Sequence, residues 1–550
     1  MERFPNDPIF TNLLRLSHSR PGLLIHDEYG IDAGANDLLN DVQRLREALR
    51  EKLPTDWFDA HGILRPEAGR IASLSASGYY FLVGFFAIAA LGGTCVPLAT
   101  SATSVETLRS LDMAEATYLL TEPNTSDLGG KVKEHAGHIQ IIPIERQGED
   151  KKANSTFETR FEIDEDLMIP ENRPILVIST SGTSSSQPKG VVAPRRIFFY
   201  TIEDLAHPRE QHLAYRSVHW MGGVGGLVSR FLRGMRIHWP RRRRDGAMFW
   251  EIFKQGGITD VSFPASLFTM LQDYYLNTIR GLPPHEHDAY IRGARNIKVG
   301  IVSGSAMHPA AGQFWMDIAG IKLQSVYAST ELGGVALACD LGAEYLDRCV
   351  GTPEDGVEVK LSDGDYGELL AKSPRMFLYY LNNEAATKAA FDEDGFYKTG
   401  DMMRRIGGKY FFEGRKSSDW IQFYYLSIPV LDVEKHLLCL PYISEAYILP
   451  VLDRKARGLP AALVRLNCPN PNKSINLARI REDLSKTLEA YKLPALLYIL
   501  KDEDEVPRSA SEKVLKVQAL QKFFGIRGLR SADYAVDGVE VCDVTFDVNI

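Results

Sequence analysis

Short apolar runs alternate with longer amphipathic stretches between about Ile71 and Val302. The runs that predict short strands are RIASLS, TCVPLA, ATYLLT, IQIIPI, PILVIS, SVHWM, MRIHWP, VSFPA and VGIVSG. Several of them are separated by segments of helical length, such as AMFWEIFKQG and SLFTMLQDYYLNTI. Strands that alternate with helices are typical of βαβ units, so the pattern predicts largely parallel sheets.

The pattern changes after Val350, where GVEVKLSDGDYGELLAKS and KYFFEGR place turn glycines between strand-like pieces, as in β-hairpins. A smaller mixed region follows Asp419, with helices predicted near VLDVEKHLLCL and LARIREDLSKTL. We therefore predict an α/β fold: a large N-terminal domain of βαβ-type sheets with a β-rich subdomain, then a small α+β C-terminal domain. The predicted domains are residues 1–416 and 417–550, with the residues after about 526 expected to lie outside the smaller fold.

The most apolar stretch of the chain runs from Tyr79 to Ala99 and is long enough to raise the possibility of a membrane span. Two glycines, a cysteine and a proline interrupt its second half. These breaks favour a buried helix at Tyr79–Leu91 that leads into a buried strand at Thr94–Leu98, rather than a membrane span.

Composition and charge narrow the class of protein further. The 550 residues are 45% hydrophobic and 24% charged, which is ordinary for a soluble globular chain. The net charge of −8 argues against a general nucleic-acid binder, because such proteins are usually basic. Six scattered cysteines form no C-x-x-C pair, and the N-terminus lacks the apolar segment of a signal peptide. These features favour a reducing compartment and a cytoplasmic location.

The stretch ISTSGTSSSQPKGVV, from Ile178 to Val192, combines glycine with small hydroxyl residues at the end of an apolar run. Its backbone N–H groups and hydroxyls can wrap phosphate oxygens, and Lys189 can add a cation. It is not a Walker A loop, because that motif needs G-x-x-x-x-G-K-[ST]. A Ser-rich surface loop is an equally good interpretation of this stretch alone.

Further motifs carry groups that suit a nucleotide. In SVYASTELGG, Tyr327 can stack on a base, Thr330 can bind phosphate and Glu331 can ligate magnesium, which prefers oxygen ligands. In GFYKTGDMMRR, Asp401 follows a glycine turn and suits a ribose diol. Taken alone, Asp401 is equally a turn cap.

Two more motifs complete the set. FEGRKSSDWI offers Arg415, and VPRSASEKVLK offers Lys513 near the end of the chain. Taken alone, Arg415 has a surface ion pair as its alternative interpretation, and a lone Lys513 is normally a solvated residue at a helix start.

These motifs, in this order, resemble the adenylate-forming superfamily of acyl-CoA synthetases, firefly luciferases and peptide-synthetase adenylation domains. The resemblance runs from about Ile71 to Lys516 and includes GELLAKSPRMFLYYLNNEAATKAAFDEDGFYKTGD, which follows that family's long signature nearly residue by residue. The branch that looks most similar is the malonyl-CoA synthetase group. It shares SGSA (Ser303–Ala306), the wide gap between Arg415 and Asp419, and VLDVEKHLLCLPYI.

The resemblance implies an ATP-dependent carboxylic acid–CoA ligase with two half-reactions. In the first, the carboxylate attacks the α-phosphate of ATP and pyrophosphate leaves. In the second, a thiol, usually that of coenzyme A, attacks the acyl-adenylate and AMP leaves. ATP, Mg²⁺ and coenzyme A are the implied cofactors, and a small carboxylic acid is the implied partner. The mobile C-terminal domain would swing about a hinge at Asp419 between the two half-reactions.

The resemblance also implies a role for each motif residue. Lys513 is the implied catalytic lysine, and Glu331 and Thr330 complete the catalytic set, with Glu331 also holding the metal. The residues implied to bind ATP or AMP are Ser181, Gly182, Thr183, Ser184, Ser185, Ser186, Lys189, Gly190, Ser305, Ala306, Ser325, Val326, Tyr327, Asp401 and Arg415. The residues implied at the acyl pocket are His219, Gly304 and Ala328, with the thiol tunnel at Tyr425. An ordinary core histidine is the alternative interpretation of His219.

The sequence departs from the family pattern at three places that bear on catalysis. After Thr183 the phosphate loop has one residue more than the family and lacks its second glycine. After the hinge, Tyr425 occupies the position of the glycine that lets the pantetheine arm pass, and Gln422 replaces a cation. Glu512 replaces the glycine before Lys513, so a carboxylate stands beside the catalytic cation.

A fourth departure concerns the substrate. The two arginines that pair with the distal carboxylate in malonyl-CoA synthetases are replaced at Val299 and near Met270. A second substrate carboxylate would lie unpaired in a buried pocket, which is costly, so we predict a monocarboxylic, more apolar acid. Malonate stays open as an alternative if Arg295 or Lys298 reaches the pocket. The run Arg241–Arg244 is interpreted as a solvated loop, with a phosphate of coenzyme A as the minor alternative.

Two other functions stay open at this point. Tyr425 and Gln422 motivate an adenylating enzyme that passes the acyl group to an amine or a carrier-protein thiol. A non-catalytic descendant that binds nucleotide is the third hypothesis, although binding alone does not need the whole set of motif residues.

Overall fold

The protein was analysed as a computed structural model. It describes residues 2–146, 161–180, 189–199, 205–241, 245–304, 307, 309–415, 419–423, 426–453, 456–467, 475–509, 514–526 and 537–542.

Helices occur along the whole of the described chain, mostly between strands. They are α1 (Pro8–Ser19), α2 (Ala35–Lys52), α3 (Gly78–Ala90), α4 (Ser104–Ala114), α5 (Ser126–His135), α6 (Met221–Leu232), α7 (Gly246–Gln255), α8 (Ala265–Asn277), α9 (Pro284–Ala294), α10 (Pro309–Ala319), α11 (Glu384–Ala389), α12 (Val430–Leu438), α13 (Leu477–Leu484) and α14 (Lys516–Phe524). The helices predicted in AMFWEIFKQG and SLFTMLQDYYLNTI are confirmed as α7 and α8.

The first sheet is formed by strands between Arg70 and Pro194 together with β20, and has the strand order β20-β10-β9-β5-β4-β6-β7. Its strands are β4 (Arg70–Leu74), β5 (Cys95–Pro97), β6 (Ala116–Thr121), β7 (Gln140–Pro143), β9 (Pro174–Thr180), β10 (Lys189–Pro194) and β20 (Tyr379–Tyr380). From β9 to β7 all neighbours are parallel, whereas β10 and β20 close one edge in antiparallel fashion. Beside this sheet, β1 (Glu2–Pro5) pairs with β8 (Phe161–Asp164).

The second sheet joins two architectures, in the order β18-β19-β21-β22-β17-β16-β15-β14-β13-β11-β12-β2-β3. Its strands are β2 (Leu23–Asp27), β3 (Ile31–Gly34), β11 (Gln211–Leu213), β12 (Arg236–Trp239), β13 (Asp260–Pro264), β14 (Val299–Ser303), β15 (Lys322–Ser329), β16 (Gly334–Ala338), β17 (Cys349–Pro353), β18 (Glu358–Asp363), β19 (Tyr366–Lys372), β21 (Tyr397–Ile406) and β22 (Lys409–Arg415). Strands β15, β14, β13, β11, β12 and β2 are parallel, and β16 to β22 are antiparallel. Both the predicted βαβ sheet and the predicted hairpin region are therefore confirmed.

The C-terminal region has its own mixed sheet and its own buried apolar cluster, which spans Ile421 to Ile526. The strands are β23 (Trp420–Phe423), β24 (Leu426–Pro429), β25 (Ile443–Asp453), β26 (Arg457–Leu466), β27 (Leu496–Ile499) and β28 (Val539–Val541). The predicted helices are present as α12 and α13, so the α+β description is confirmed.

The prediction that the residues after about 526 lie outside the C-terminal fold is wrong. Strand β28 pairs with β27, and Glu540 accepts a hydrogen bond from the backbone N–H of Leu477 at 2.7 Å. Edge-strand pairing of this kind depends on a partner that is distant in sequence, so the local pattern does not reveal it.

The apolar stretch after Tyr79 forms helix α3 and strand β5, as predicted. The hydroxyl of Ser77 caps α3 by accepting the backbone N–H groups of Tyr79 and Tyr80, and every residue of the helix is buried. A helix that is apolar all round belongs in a core, where the two sheets and α2 enclose it. Among the described residues, no helix combines the length and apolarity needed to cross a bilayer.

The strand predicted at SVHWM is wrong, because residues 217–220 form a turn that leads into α6. The cause is the glycine-rich sequence that follows. A Cβ on Gly223 would lie 1.8 Å from the carbonyl oxygen of Ser217, so only glycine lets the helix start this close to the preceding chain. The neighbouring strand is β11, which ends at Leu213, shortly before this turn.

A buried ion pair fastens the N-terminal helix to the core. Asp7 caps α1 by accepting the N–H groups of Ile9 and Phe10, and its other oxygen accepts from Nε of Arg195 at 2.6 Å. Arg195 is fully buried and also donates to the carbonyl oxygen of Ala89 at 3.0 Å. Neither charge is reached by bulk water, so each depends on the other.

We expect Arg195→Met to lower the free energy of unfolding by about 3–5 kcal/mol, because it leaves the buried Asp7 carboxylate without its cation. Urea denaturation followed by tryptophan fluorescence measures this change. The double variant Asp7→Asn/Arg195→Met is expected to lose less than the single variant. Lys360→Met removes a solvent-exposed pair with Asp394 and is the control; equal effects from the two single variants would contradict the assignment.

Candidate functional site

A cavity of about 1190 Å³ opens where the first and second sheets meet. Its lining includes Glu331 and Arg415 as well as Arg216 and His219. The parallel strands β13 and β14 supply Ser262, Pro264 and Ser303 to its wall, the last two from their carboxyl ends. Ligands of open α/β sheets bind at this edge, so the cavity is the candidate site.

Glu331 is held by both sheets. It lies in the turn between β15 and β16, and its backbone carbonyl oxygen accepts the N–H of Phe377 at 2.8 Å. Its side-chain Oε1 accepts the hydroxyl of Tyr380 at 3.0 Å. The two contacts fix the carboxylate at the cavity wall instead of leaving it on a loose turn.

Lys189 lies beside this carboxylate because β10 pairs with β20, which brings Val191 opposite Tyr380. The Nζ of Lys189 lies 4.6 Å from the centroid of the Tyr380 ring. Such a contact stabilises a cation over the face of an aromatic ring. Tyr380 therefore orients a cation with its ring and an anion with its hydroxyl.

Asp401 and Arg415 face each other across β21 and β22, where they are direct register partners. Nε of Arg415 lies 2.8 Å from Oδ1 of Asp401, and the hydroxyl of Tyr327 donates to Oδ2 at 2.6 Å. Gly400 precedes Asp401 with a φ of +73°, and its N–H donates to Glu368. The glycine turn predicted before Asp401 is wrong, because Gly400 lies within β21; its positive φ falls where the pairing of β21 with β19 is irregular.

The electrostatics of these groups follow from burial. Burial, together with the adjacent carboxylate of Asp401, raises the pKa of Tyr327 well above its usual value. Burial and the carboxylate of Glu331 likewise raise the pKa of Tyr380. Both phenols therefore keep their protons at neutral pH and act as donors to the carboxylates. Desolvation opposes the charge on Arg415, but Asp401, Tyr327, Tyr397 and Glu331 together outweigh it and raise the pKa of that guanidinium.

Another part of the cavity wall is formed by the turn before α6. His219 is hydrogen-bonded through Nδ1 to the hydroxyl of Ser217 at 2.8 Å, and its ring contacts that of Trp220. Ala328 on β15 and Gly304 after β14 form the facing wall. The pocket interpretation of His219 agrees with this placement, because the ring lines the cavity.

The structure brings most of the described candidate residues together. Those that line the cavity are Lys189, His219, Gly304, Val326, Ala328, Thr330, Glu331 and Arg415. Those that adjoin these in the chain are Gly190, Ser325, Tyr327 and Asp401. The ring of Tyr327 packs in a buried apolar cluster, so its stacking on a base stays a prediction.

The remaining candidates stay predictions. Asp419 accepts the backbone N–H of Arg415 and Nζ of Lys516, each at 2.9 Å, and its role as a hinge stays a prediction. The candidates outside the described residues are Ser181, Gly182, Thr183, Ser184, Ser185, Ser186, Ser305, Ala306, Tyr425 and Lys513. Glu512 and Arg242–Arg244 also lie outside them.

Sequence reasoning missed Tyr380 and Arg216. Tyr380 stands inside the quoted signature GELLAKSPRMFLYYLNNE, but its role depends on the pairing of β10 with β20, which that pattern does not show. Arg216 directly precedes SVHW, and a charged residue at the end of an apolar run was the available signal.

Comparison with known proteins identifies the family. The model of the AMP-binding enzyme family matches residues 57–381. A relative from Aspergillus oryzae named acyl-CoA ligase oryP is 34% identical over 529 residues, which cover 94% of this chain and 93% of the relative. The chain belongs to the AMP-binding enzyme family. A malonate–CoA ligase of Arabidopsis thaliana is 26% identical and covers 84% of this chain and 79% of its own length.

Solved structures of this family share the fold. The ATP-bound structure of MatB from Rhodopseudomonas palustris superposes with a TM-score of 0.75 at 17% identity, covering 94% of this chain and 98% of that one. O-succinylbenzoate coenzyme A synthetase from Bacillus subtilis, in complex with AMP, superposes with a TM-score of 0.71 at 21% identity. This superposition covers 92% of this chain and 97% of the synthetase. The predicted fold class and the resemblance to the adenylate-forming superfamily are thus confirmed.

We expect Tyr327→Phe to weaken ATP binding about 10-fold, because it removes a donor to the buried carboxylate of Asp401. Isothermal titration calorimetry measures the dissociation constant. Tyr118→Phe, on strand β6 of the first sheet, is the matched control and should leave ATP binding unchanged. An unchanged dissociation constant for Tyr327→Phe would show that this contact does not shape the nucleotide site.

Proposed function

We propose that this protein is an ATP-dependent carboxylic acid–CoA ligase, which forms an acyl-adenylate and then an acyl-CoA thioester. One observation carries the proposal: a single cavity is lined by Glu331 and Arg415 together with His219 and Ala328. A nucleotide and an acid can thus meet in one cavity, as adenylation requires.

The nucleotide end has the groups that a ribose and its phosphates need. Asp401 is an acceptor for a ribose diol and is fixed by Tyr327 and Arg415. Lys189 supplies a cation for the phosphates and is held over Tyr380. Preorganised charges of this kind stabilise phosphoryl charge without reorganising during the reaction.

A magnesium ion fits the carboxylate of Glu331. The described residues contain no cluster of three or more histidine, cysteine or carboxylate groups that would form a complete metal cage. Mg²⁺ typically binds through one or two carboxylates plus the phosphates of the substrate, and Glu331 at the cavity wall can supply such a carboxylate. Bound there, the ion would neutralise charge on the phosphates.

In the first half-reaction, the carboxylate oxygen of the acid attacks the α-phosphorus, and the bond to the bridging oxygen of pyrophosphate breaks. The chain positions the two reactants and supplies compensating charge, since phosphoryl chemistry of this type depends mostly on positioning and electrostatics. We assign to Lys513 the contact that bridges the α-phosphate and the attacking carboxylate. The phosphate loop at 181–190 holds the leaving pyrophosphate.

In the second half-reaction, the thiol sulfur of coenzyme A attacks the acyl carbonyl and loses its proton, and AMP leaves with the carboxylate oxygen that had attacked the α-phosphorus. We assign the division into residues 1–416 and 417–550 to this step, with the smaller domain turning about Asp419. The contacts of Asp419 with the backbone N–H of Arg415 and with Lys516 support this, because they couple the nucleotide site to α14. Gln422 donates to the carbonyl oxygen of Leu426 within the β23–β24 hairpin.

We expect Lys513→Ala to lower the rate of acid-dependent ATP–pyrophosphate exchange at least about 100-fold, because it removes the cation at the reacting oxygens. Lys522→Ala is the matched control, since this exposed lysine of α14 donates only to a backbone carbonyl among its described contacts. Exchange by Lys513→Ala at the wild-type rate would contradict the assignment.

A separate experiment tests whether coenzyme A is the acceptor of the acyl group. With an accepted acid and coenzyme A, we expect stoichiometric AMP and acyl-CoA, measured by liquid chromatography. Formation of the acyl-adenylate without thioester, rescued by an amine or a carrier-protein thiol, would contradict the ligase and favour the other acceptor. Nucleotide binding without any AMP release would instead support a non-catalytic protein.

A further inference from the structure

Arg216 lines the cavity beside β13 and β14, whereas the nucleotide groups Asp401 and Arg415 lie on β21 and β22 of the same sheet. Its Nε donates to the backbone carbonyl oxygen of Ser262 at 3.2 Å, and its Nη2 donates to the hydroxyl of Ser303 at 2.6 Å. Ser262 is the middle residue of β13, and Ser303 is the last residue of β14. The guanidinium is therefore held in place by neutral groups and faces the cavity.

The other charged groups described near Arg216 neutralise one another, so the charge of Arg216 is not compensated by them. Arg230 also lines the cavity, but its Nε donates to Oδ1 of Asp260 at 2.7 Å. His212 contacts the same carboxylate, and burial lowers the pKa of His212 to about 4, so the imidazole is neutral at physiological pH. The carboxylate of Asp260 is thus paired with Arg230 and not with Arg216.

Within the described ranges, no carboxylate lies within ion-pair distance of Arg216. Burial, with a further contribution from the cation of Arg230, lowers the pKa of Arg216 to about 10. The side chain is still charged at pH 7. A desolvated cation with only neutral partners is costly, so a protein that retains one at a binding pocket has a use for it.

The cations considered from the sequence lie elsewhere. Nε of Arg295 donates to the carbonyl oxygen of Ile318, and Lys298 donates to the carbonyl oxygen of Arg295, both on the exposed surface. Neither lines the cavity. The sequence predicts that a second substrate carboxylate would lie unpaired, but that prediction leaves out Arg216, a cation that lines the cavity just before the turn into α6.

We propose that Arg216 binds a second carboxylate of the acid, so that the enzyme selects dicarboxylic over monocarboxylic acids. The inference rests on the proposed function and names the substrate class of the same site. One carboxylate of the acid reacts beside the nucleotide groups, and the other pairs with Arg216. A guanidinium matches a carboxylate with two parallel hydrogen bonds, which gives both strength and orientation.

Selectivity follows from the cost of a mismatched tail. An apolar tail would cover the guanidinium and remove its remaining contact with water without replacing it. A site built for a polar group rejects the analogue that lacks the group more strongly than an apolar pocket rejects a slightly different shape. The hydroxyl of Ser303 and the carbonyl of Ser262 fix the fork, so little freedom is lost when the carboxylate binds.

The experiment compares kcat/KM for ATP–pyrophosphate exchange within pairs of acids matched in length: succinate with butyrate, adipate with hexanoate, and terephthalate with 4-methylbenzoate. The wild type is expected to prefer the diacid at least about 10-fold in the pair that fits the cavity. Arg216→Met should lower kcat/KM for that diacid about 10- to 100-fold and leave or raise the value for the monoacid. Arg216→Lys should retain part of the preference. Arg295→Met, a surface arginine outside the cavity, is the control and should change neither value.

If Arg216 had a purely structural role, Arg216→Met would lower kcat/KM equally for both acids of a pair. That result would overturn the inference. Preference of the wild type for the monoacid in every pair would do the same. A raised KM for ATP with both acids would show that Arg216 binds the nucleotide instead. These three results leave the ligase function standing, whereas a wild-type enzyme that exchanges with no acid would overturn that function and the inference with it.

Discussion

The site depends on the hydrogen bonds that fix Glu331 between the two large sheets. Its carbonyl accepts the N–H of Phe377 and its carboxylate accepts the hydroxyl of Tyr380, so a turn of the second sheet is tied to the edge of the first. Tyr380 pairs with β10 in the same edge and carries Lys189 over its ring. The anion, the cation and the mouth of the cavity are therefore placed by one junction. A shift of the sheets relative to each other would separate them all.

The charged side chains around the cavity are arranged so that anionic groups of the substrates can bind at two places. Lys189 and Arg415 are balanced by Glu331 and Asp401 near the nucleotide end, which leaves room for phosphate charge and a metal ion. Beside β13 and β14, Arg216 has only neutral described partners. The carbonyl of Ser262 and the hydroxyl of Ser303, on two parallel strands, hold the side chain of Arg216. The fold therefore fixes the orientation of this charged group.

Most of the prediction came from the order of the motifs along the sequence. Contacts between residues that are far apart in the sequence were not predicted. The register pairing of Asp401 with Arg415 follows from a hairpin that local patterning already indicates, although Gly400 lies within β21 and not in a turn. Tyr380 escaped notice because β10 and β20 lie far apart in the sequence and are joined only in the sheet. The strand expected at SVHWM failed because Gly223 allows a helix to approach the carbonyl of Ser217. Arg216 lies just before that turn and lines the cavity, so the strand expected there left this cation out of the substrate prediction.

The fate of the carboxylate oxygens tests the account most directly. With an accepted acid labelled in both carboxylate oxygens with ¹⁸O, together with ATP and coenzyme A, mass spectrometry of the nucleotide product reads out which phosphorus was attacked. The account predicts AMP that carries one ¹⁸O, because the acid attacks the α-phosphorus and the thiol later releases AMP with that oxygen. Unlabelled AMP, or ADP accompanied by ¹⁸O-labelled phosphate, would contradict it.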